Sequence, residues 1–153
     1  MIKKVIRAAK GAALLPRYTK ILDPAKIFAG KRVAIVGPAQ SLFKEANGSY
    51  IDQFDYVIRI NKAPYSLTDE RAPHQGTRTD ILFHSFYENN ETGGGPLDFA
   101  LYHKKKIRYV VNPRNNLVGW RMTFNFYKKY LQKEVTYLLP AELYRYIVAR
   151  FEK

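Results

Sequence analysis

The chain has no cysteine. That excludes disulfides, thiolate metal sites and cysteine nucleophiles, and it fits a reducing, cytoplasmic setting. Histidine is scarce, at three residues. His74, His84 and His103 are scattered, with no HExxH or paired-His spacing to hold a metal. No carboxylate cluster and no Asp-x-Asp pair is present to hold a nucleotide through a divalent ion, so no metal and no cofactor is expected. Neither GxGxxG nor GxxxxGK[ST] occurs, which removes the dinucleotide fingerprint and the P-loop. Long apolar runs are missing too. Ala12 to Leu15 is far too short to span a bilayer and does not make a secretory h-region.

Acidic residues are in deficit, 13 against 26 Lys and Arg, for a formal net charge of +13. The excess sits at the two ends. Residues 1–32 carry nine Lys/Arg against Asp23 alone, and residues 101–153 carry twelve against three. Residues 33–100 carry five against nine. A basic protein invites a nucleic-acid partner. No nucleic-acid motif accompanies the charge, however, and the cations are interspersed with core-type residues, so nucleic acid ranks below a solvated or lipid-facing surface. A length of 153 residues with 46% hydrophobic content suits one folded domain near the lower limit for an α/β enzyme.

What is present is ordered around Val33 to Asn61. The apolar run Val33-Ala34-Ile35-Val36 stops at Gly37-Pro38, and a helix capped by Ser41 is expected through Ala46. A second apolar run, Tyr56 to Ile60, ends on Asn61. Strand, turn, helix, strand is the arrangement that gathers ligands at strand carboxyl ends. Further strands are expected at 79–84, 107–111 and 135–139, with helices at 97–105, 121–132 and along Leu143, Ile147 and Phe151. Loops rich in Pro, Gly and Asp fill 62–78 and 88–96. Alternating strands and helices predict an α/β fold, a mostly parallel sheet with flanking helices.

Two regions follow from this: a basic, helical N-terminal segment over 1–32 and a Rossmann-like region over 33–153. Within 1–15, Ile2, Val5, Ile6, Ala9 and Ala13 lie near one helical face. This helix either packs on the domain, the preferred reading, or lies on an acidic membrane surface. Asn47-Gly48-Ser49 and Asn90-Glu91-Thr92 match glycosylation sequons, without meaning in a chain that is not secreted.

Gly37 permits a close turn, and the helix after it would offer backbone N–H groups to an anion, although an ordinary strand-to-helix turn has the same pattern. Asn61 suits a base or ribose edge, or else ties down its own loop. Arg59, inside an apolar strand, needs a partner such as Asp52, Asp55 or Asp80. Arg78 and Asp80 suit a local ion pair. His84, ending a strand beside Ser85, is placed to reach the crevice, whereas His74 and His103 suit solvated positions.

The segments VAIVGPAQSL, IDQFDYVIRINKAP and GTRTDILFHS together resemble the large sialyl motif of glycosyltransferase family 29, the sialyltransferases. The matching positions are Gly37, Leu42, Gly48, Ile51, Asp52, Arg59, Asn61, Ala63, Pro64, Gly76, Arg78 and Thr79, spread over about a third of the chain. The resemblance implies a Rossmann-like, glycosyltransferase-A-like fold that inverts configuration without a metal. It implies a CMP-sialic acid donor and a glycan acceptor. The turn Gly37, Pro38, Ala39, Gln40 and Ser41 would approach the donor phosphate, Asn61 its ribose or cytosine, and Ser85 would lie near the donor. Pro38 replaces the family's Asn, and Val33 stands where vertebrate relatives carry a disulfide cysteine. The family's general base is a His in a later motif, which none of the three histidines matches. The expectation is a donor-binding front half, inactive as this chain alone, with a non-catalytic nucleotide-binding or interaction module as the alternative and a basic membrane-surface or nucleic-acid-binding protein as a further one.

Overall fold

The computed structural model describes residues 2–89, 91 and 93–151. Asn90 and Thr92 of the second sequon lie outside them. The chain begins with helix α1 (Ile2–Tyr18), which runs directly into strand β1 (Thr19–Ile21). Asp23 then caps the five-residue helix α2 (Pro24–Phe28) by accepting the Lys26 N–H at 3.0 Å, with Pro24 at the first helical position. Strands β2 (Val33–Val36), β3 (Tyr56–Ile60), β4 (Ile81–Phe83), β5 (Tyr109–Asn112) and β6 (Thr136–Leu138) follow in order.

All five neighbouring pairs are parallel, and the sheet reads β1-β6-β5-β4-β3-β2. Strands β2 to β6 are laid down side by side in chain order, and β1 closes the far edge against β6. A six-stranded parallel sheet with helices on both faces is a Rossmann-like α/β architecture. Period-two alternation assigns the two faces. Val57, Leu82 and Val110 point to one side, where α1, helix α6 (Phe99–Lys104) and helix α7 (Leu117–Tyr130) supply Leu14, Phe99, Tyr102, Phe126 and Tyr127. Ile58, Ile81 and Val111 point to the other, under α2 and helix α8 (Ala141–Phe151) through Ile27, Phe28 and Leu143.

Several expected boundaries move. Strand β1 and helix α2 fall in a stretch read only as part of a basic segment, and β1 is hydrogen-bonded into the same sheet as the rest. The helix expected over 41–46 is instead a 3₁₀ turn, Gln40–Lys44, which begins at Ala39 with no side-chain cap and is followed by the one-turn helix α3 (Gly48–Ile51). Ser41 lies inside the turn and cannot cap it. The loop 62–78 contains two one-turn helices, α4 (Ala63–Ser66) and α5 (Ala72–Gln75), each started by its proline. Helix α7 starts four residues before the expected Arg121, because Asn116 caps it by accepting the Gly119 N–H at 3.0 Å.

Helix α1 lies against α7, and Gly11 allows the approach: a Cβ there would stand 2.8 Å from the Lys128 Cα. Arg7 donates to the Lys128 and Lys129 carbonyls, two of the acceptors left unbonded at the end of α7. Packing of this helix on the domain is therefore the arrangement found.

Candidate functional site

The carboxyl ends of β2 and β3 open into a cavity of about 400 Å³. Gly37, Pro38, Ala39 and Asn61 line it, joined by Leu42, Phe43 and Arg59. Gln40 and Ser41 are exposed and do not reach its wall. Ser85 stands outside the lining but is linked to it, because its N–H donates to Asn61 Oδ1 at 3.1 Å.

Asn61 adopts a left-handed backbone, φ 53°, which Asn tolerates better than most residues. Its N–H donates to the Phe83 carbonyl at 2.7 Å, so the turn is pinned to the end of β4. Ser85 N–H is a donor and must meet the amide oxygen. That leaves Nδ2 as the remaining polar group of the Asn61 side chain, a residue that lines the cavity. Gly37 contributes by what it lacks: a Cβ built on it would meet nothing within 4 Å. The space above that residue is open, not filled by the protein.

Arg59 is 1% exposed at the base of this cavity. The expected carboxylate partner is not what holds it. Its Nε donates to the Arg78 carbonyl at 2.8 Å and its Nη2 to the Gln75 carbonyl. Burial lowers its pKa, partly offset by the charge of Asp52. Backbone carbonyls satisfy the N–H groups without cancelling the charge, so a cation is buried beneath the cavity floor. Lys62 and Arg71 add further cations to the wall, against the carboxylate of Glu91.

Residues 76–80 build the cradle for Arg59. Asp52 accepts the Thr77 N–H at 2.8 Å, the Thr77 hydroxyl at 2.9 Å and the Arg78 N–H at 3.1 Å. Gly76, at φ 72°, has no room for a Cβ, which would stand 2.5 Å from the Asp52 carboxylate. Arg78 and Asp80 form the expected ion pair at 2.9 Å, and Arg108 binds the other Asp80 oxygen at 2.7 Å. Burial pushes the Asp80 carboxyl up. The hydrogen bonds from Arg108, the Val57 N–H and Arg78 outweigh that and hold it below its ordinary value.

The opposite wall comes from the loop after β4, and His84 organises it. His84 is fully buried and does not face the crevice. Its Nδ1 accepts the Phe86 N–H at 2.9 Å, which leaves the proton on Nε2, donated to the Gly94 carbonyl at 3.0 Å. Burial lowers its pKa, so the ring is held neutral. Gly94 follows from this packing, since a Cβ on it would stand 2.3 Å from the imidazole. His74 bonds the Glu45 carbonyl and His103 pairs with Glu134, both at 3.0 Å and neither in the cavity lining.

Glu88 fastens the same loop to α7. It accepts the Leu97 N–H at 3.0 Å, Lys129 at 2.9 Å and the Tyr130 hydroxyl. Burial raises its pKa, but these three donors more than reverse the effect and leave it lowered. A lowered native pKa means that the unfolded chain binds more protons as pH falls through the carboxylate range. Stability from Glu88 is then complete above its ordinary value of 4.5 and is lost below it. Glu88→Gln is expected to flatten the acid limb of a Tm-against-pH curve, and superimposable limbs would contradict the assignment.

The glycosyltransferase family 29 (sialyltransferase) model matches residues 8–143. The chain belongs to that family. No curated protein matches it. Among the described residues of this sialyltransferase-family chain, no group of three or more His, Asp or Glu side chains is placed to hold a metal. Family membership brings a nucleotide-sugar donor and a glycan acceptor as the general chemistry, and the cavity beside β2 and β3 is where the motif residues Gly37, Arg59, Asn61 and Ala63 meet. Sequence reasoning missed the part played by Arg71, Ser66 and Gln75. They sit in a loop whose short helical turns leave no periodic signal.

Proposed function

We propose that the cavity binds the CMP portion of a CMP-sialic acid donor. The observation that carries this reading is the unfilled space over Gly37, in one wall with Asn61 and above the buried charge of Arg59. A glycine with nothing over it lets a phosphate approach the backbone, and a cation under a dry floor attracts that charge more strongly than one in water. Asn61, its oxygen already engaged by Ser85, would donate from Nδ2 to a ribose or cytosine acceptor. Phosphate neutralisation by Arg59 and Arg71 requires no divalent ion, and a chain without cysteine suits the cytoplasm.

Transfer in this family forms a bond from an acceptor hydroxyl oxygen to the anomeric carbon as the bond to the CMP phosphate breaks, with inversion. A base must take the hydroxyl proton. We infer that this chain binds the donor without turning it over, because His84 spends both ring nitrogens on the loop and His74 and His103 line no part of the cavity. Calorimetric titration with CMP and CMP-sialic acid, with and without EDTA, tests the binding. Both ligands are expected to bind equally in either condition, and Asn61→Ala to weaken them by about tenfold, the worth of one hydrogen bond. No response to either ligand would leave an interaction module that kept the fold. Sialic acid transfer to a galactoside by the purified chain would overturn the inactivity.

A further inference from the structure

Helix α1 is amphipathic on the wrong side for a helix that only packs on its domain. Its inward face is Gly11, Leu14, Leu15 and Tyr18, concentrated in the second half. At about 100° per residue, Ile2, Val5, Ile6, Ala9 and Ala13 fall together on the opposite side. Ile2 is 75% exposed, Val5 63% and Ile6 48%, and Ala9 and Ala13 are exposed as well. Scattered apolar side chains on a surface are ordinary; five aligned along one helix are a continuous stripe.

Charge identifies what the stripe meets. Lys3, Lys10 and Arg17 recur every seven residues and form an exposed row along one border of it. Residues 1–22 carry six Lys/Arg and no acidic residue. Among the described residues no helix is long and apolar enough to cross a membrane. A stripe that is too small to insert, edged by unopposed cations, has the make-up of a helix lying in a lipid–water interface. We propose that α1, while docked on α7, lays its outer face on a bilayer containing anionic lipid and holds the domain at that surface. The apolar stripe enters the headgroup boundary and the Lys3, Lys10 and Arg17 row meets lipid phosphates.

The test is vesicle flotation of the full chain with phosphatidylcholine alone and with phosphatidylglycerol added. Binding is expected only with the anionic lipid and should weaken as salt rises. Val5→Asp with Ile6→Asp should abolish it, and Lys3→Gln, Lys10→Gln and Arg17→Gln together should lower it by at least about tenfold. Both variants change exposed side chains, and an unchanged Tm shows that the fold is intact. No binding to anionic vesicles overturns the proposal, as does binding indifferent to Val5→Asp with Ile6→Asp. Lipid-free dimerisation abolished by those two substitutions would also overturn it, by assigning the stripe to a second copy of the chain.

Discussion

Asp80→Ala is expected to lower the unfolding free energy by about 3 kcal/mol, and Tm by roughly 6–12 °C for a domain of this size. Asp80 is 7% exposed and carries three native partners: the buried Val57 N–H, Arg78 and Arg108. Alanine leaves the buried Val57 N–H without an acceptor where β3 and β4 begin, which is the expensive part of the change. The two guanidiniums are partly hydrated, with side chains 38% and 50% exposed, so their loss adds less than a fully buried pair would. Asp80→Asn retains an acceptor for Val57 and should lose about half as much. Thermal unfolding of the three proteins decides it. A fall below about 2 °C for Asp80→Ala would show that the clamp is ornamental.

The second large effect concerns Gly37 and separates the cavity from the fold. A Cβ on Gly37 meets nothing within 4 Å, and its φ lies outside the left-handed region. Gly37→Ala should therefore leave Tm unchanged or slightly raised, since it restricts only the unfolded chain. Gly37→Leu should likewise fold, yet its side chain would occupy the space proposed for the donor. CMP affinity is expected to fall modestly for alanine and by about a hundredfold or more for leucine, equivalent to losing roughly 3 kcal/mol of contact. The size dependence carries the argument, because a merely structural glycine would lose stability and affinity together. Full CMP binding by Gly37→Leu would place the nucleotide elsewhere.

The sequence was most legible where one local rule operated. Val33 to Val36 and Tyr56 to Ile60 are apolar runs closed by turn residues, and both are strands within the expected limits. Asp23-Pro24 and Asn116 also carried helix-start signals of the ordinary kind. No apolar periodicity accompanies them, because α2 is only five residues long and the first turn of α7 is exposed, with Leu117 at 89%. Strand β1 had no local signal at all. Its three residues, Thr19-Lys20-Ile21, are a strand only because β6 stands beside them.

The site divides in the same way. Gly37 and Asn61 are visible from their place at strand ends. For Arg59, charge complementarity favours a nearby aspartate, whereas the fold brings two carbonyls, from Gln75 and Arg78, into hydrogen-bond reach. His84 shows the opposite problem. Its position at a strand end beside Ser85 suggested access to the crevice, but the contacts that bury it come from Phe86 and Gly94, farther along the chain.

The position of β1 has a consequence for how the protein is made. Each of strands β3 to β6 lies beside the strand synthesised just before it, an order that lets the sheet grow stepwise as the chain leaves the ribosome. Thr19 and Ile21 are made before all of these strands, yet their partners Thr136 and Leu138 belong to the last of them. A nascent chain can dock α1 once α7 has emerged, but it must hold β1 in waiting until β6 follows, and the edge of β6 is the last to be covered. Pairing across so long a separation is slow compared with the stepwise growth before it. Stalling synthesis between α7 and β6 should leave Thr19 to Ile21 unpaired and open to protease while α1 is already docked on α7.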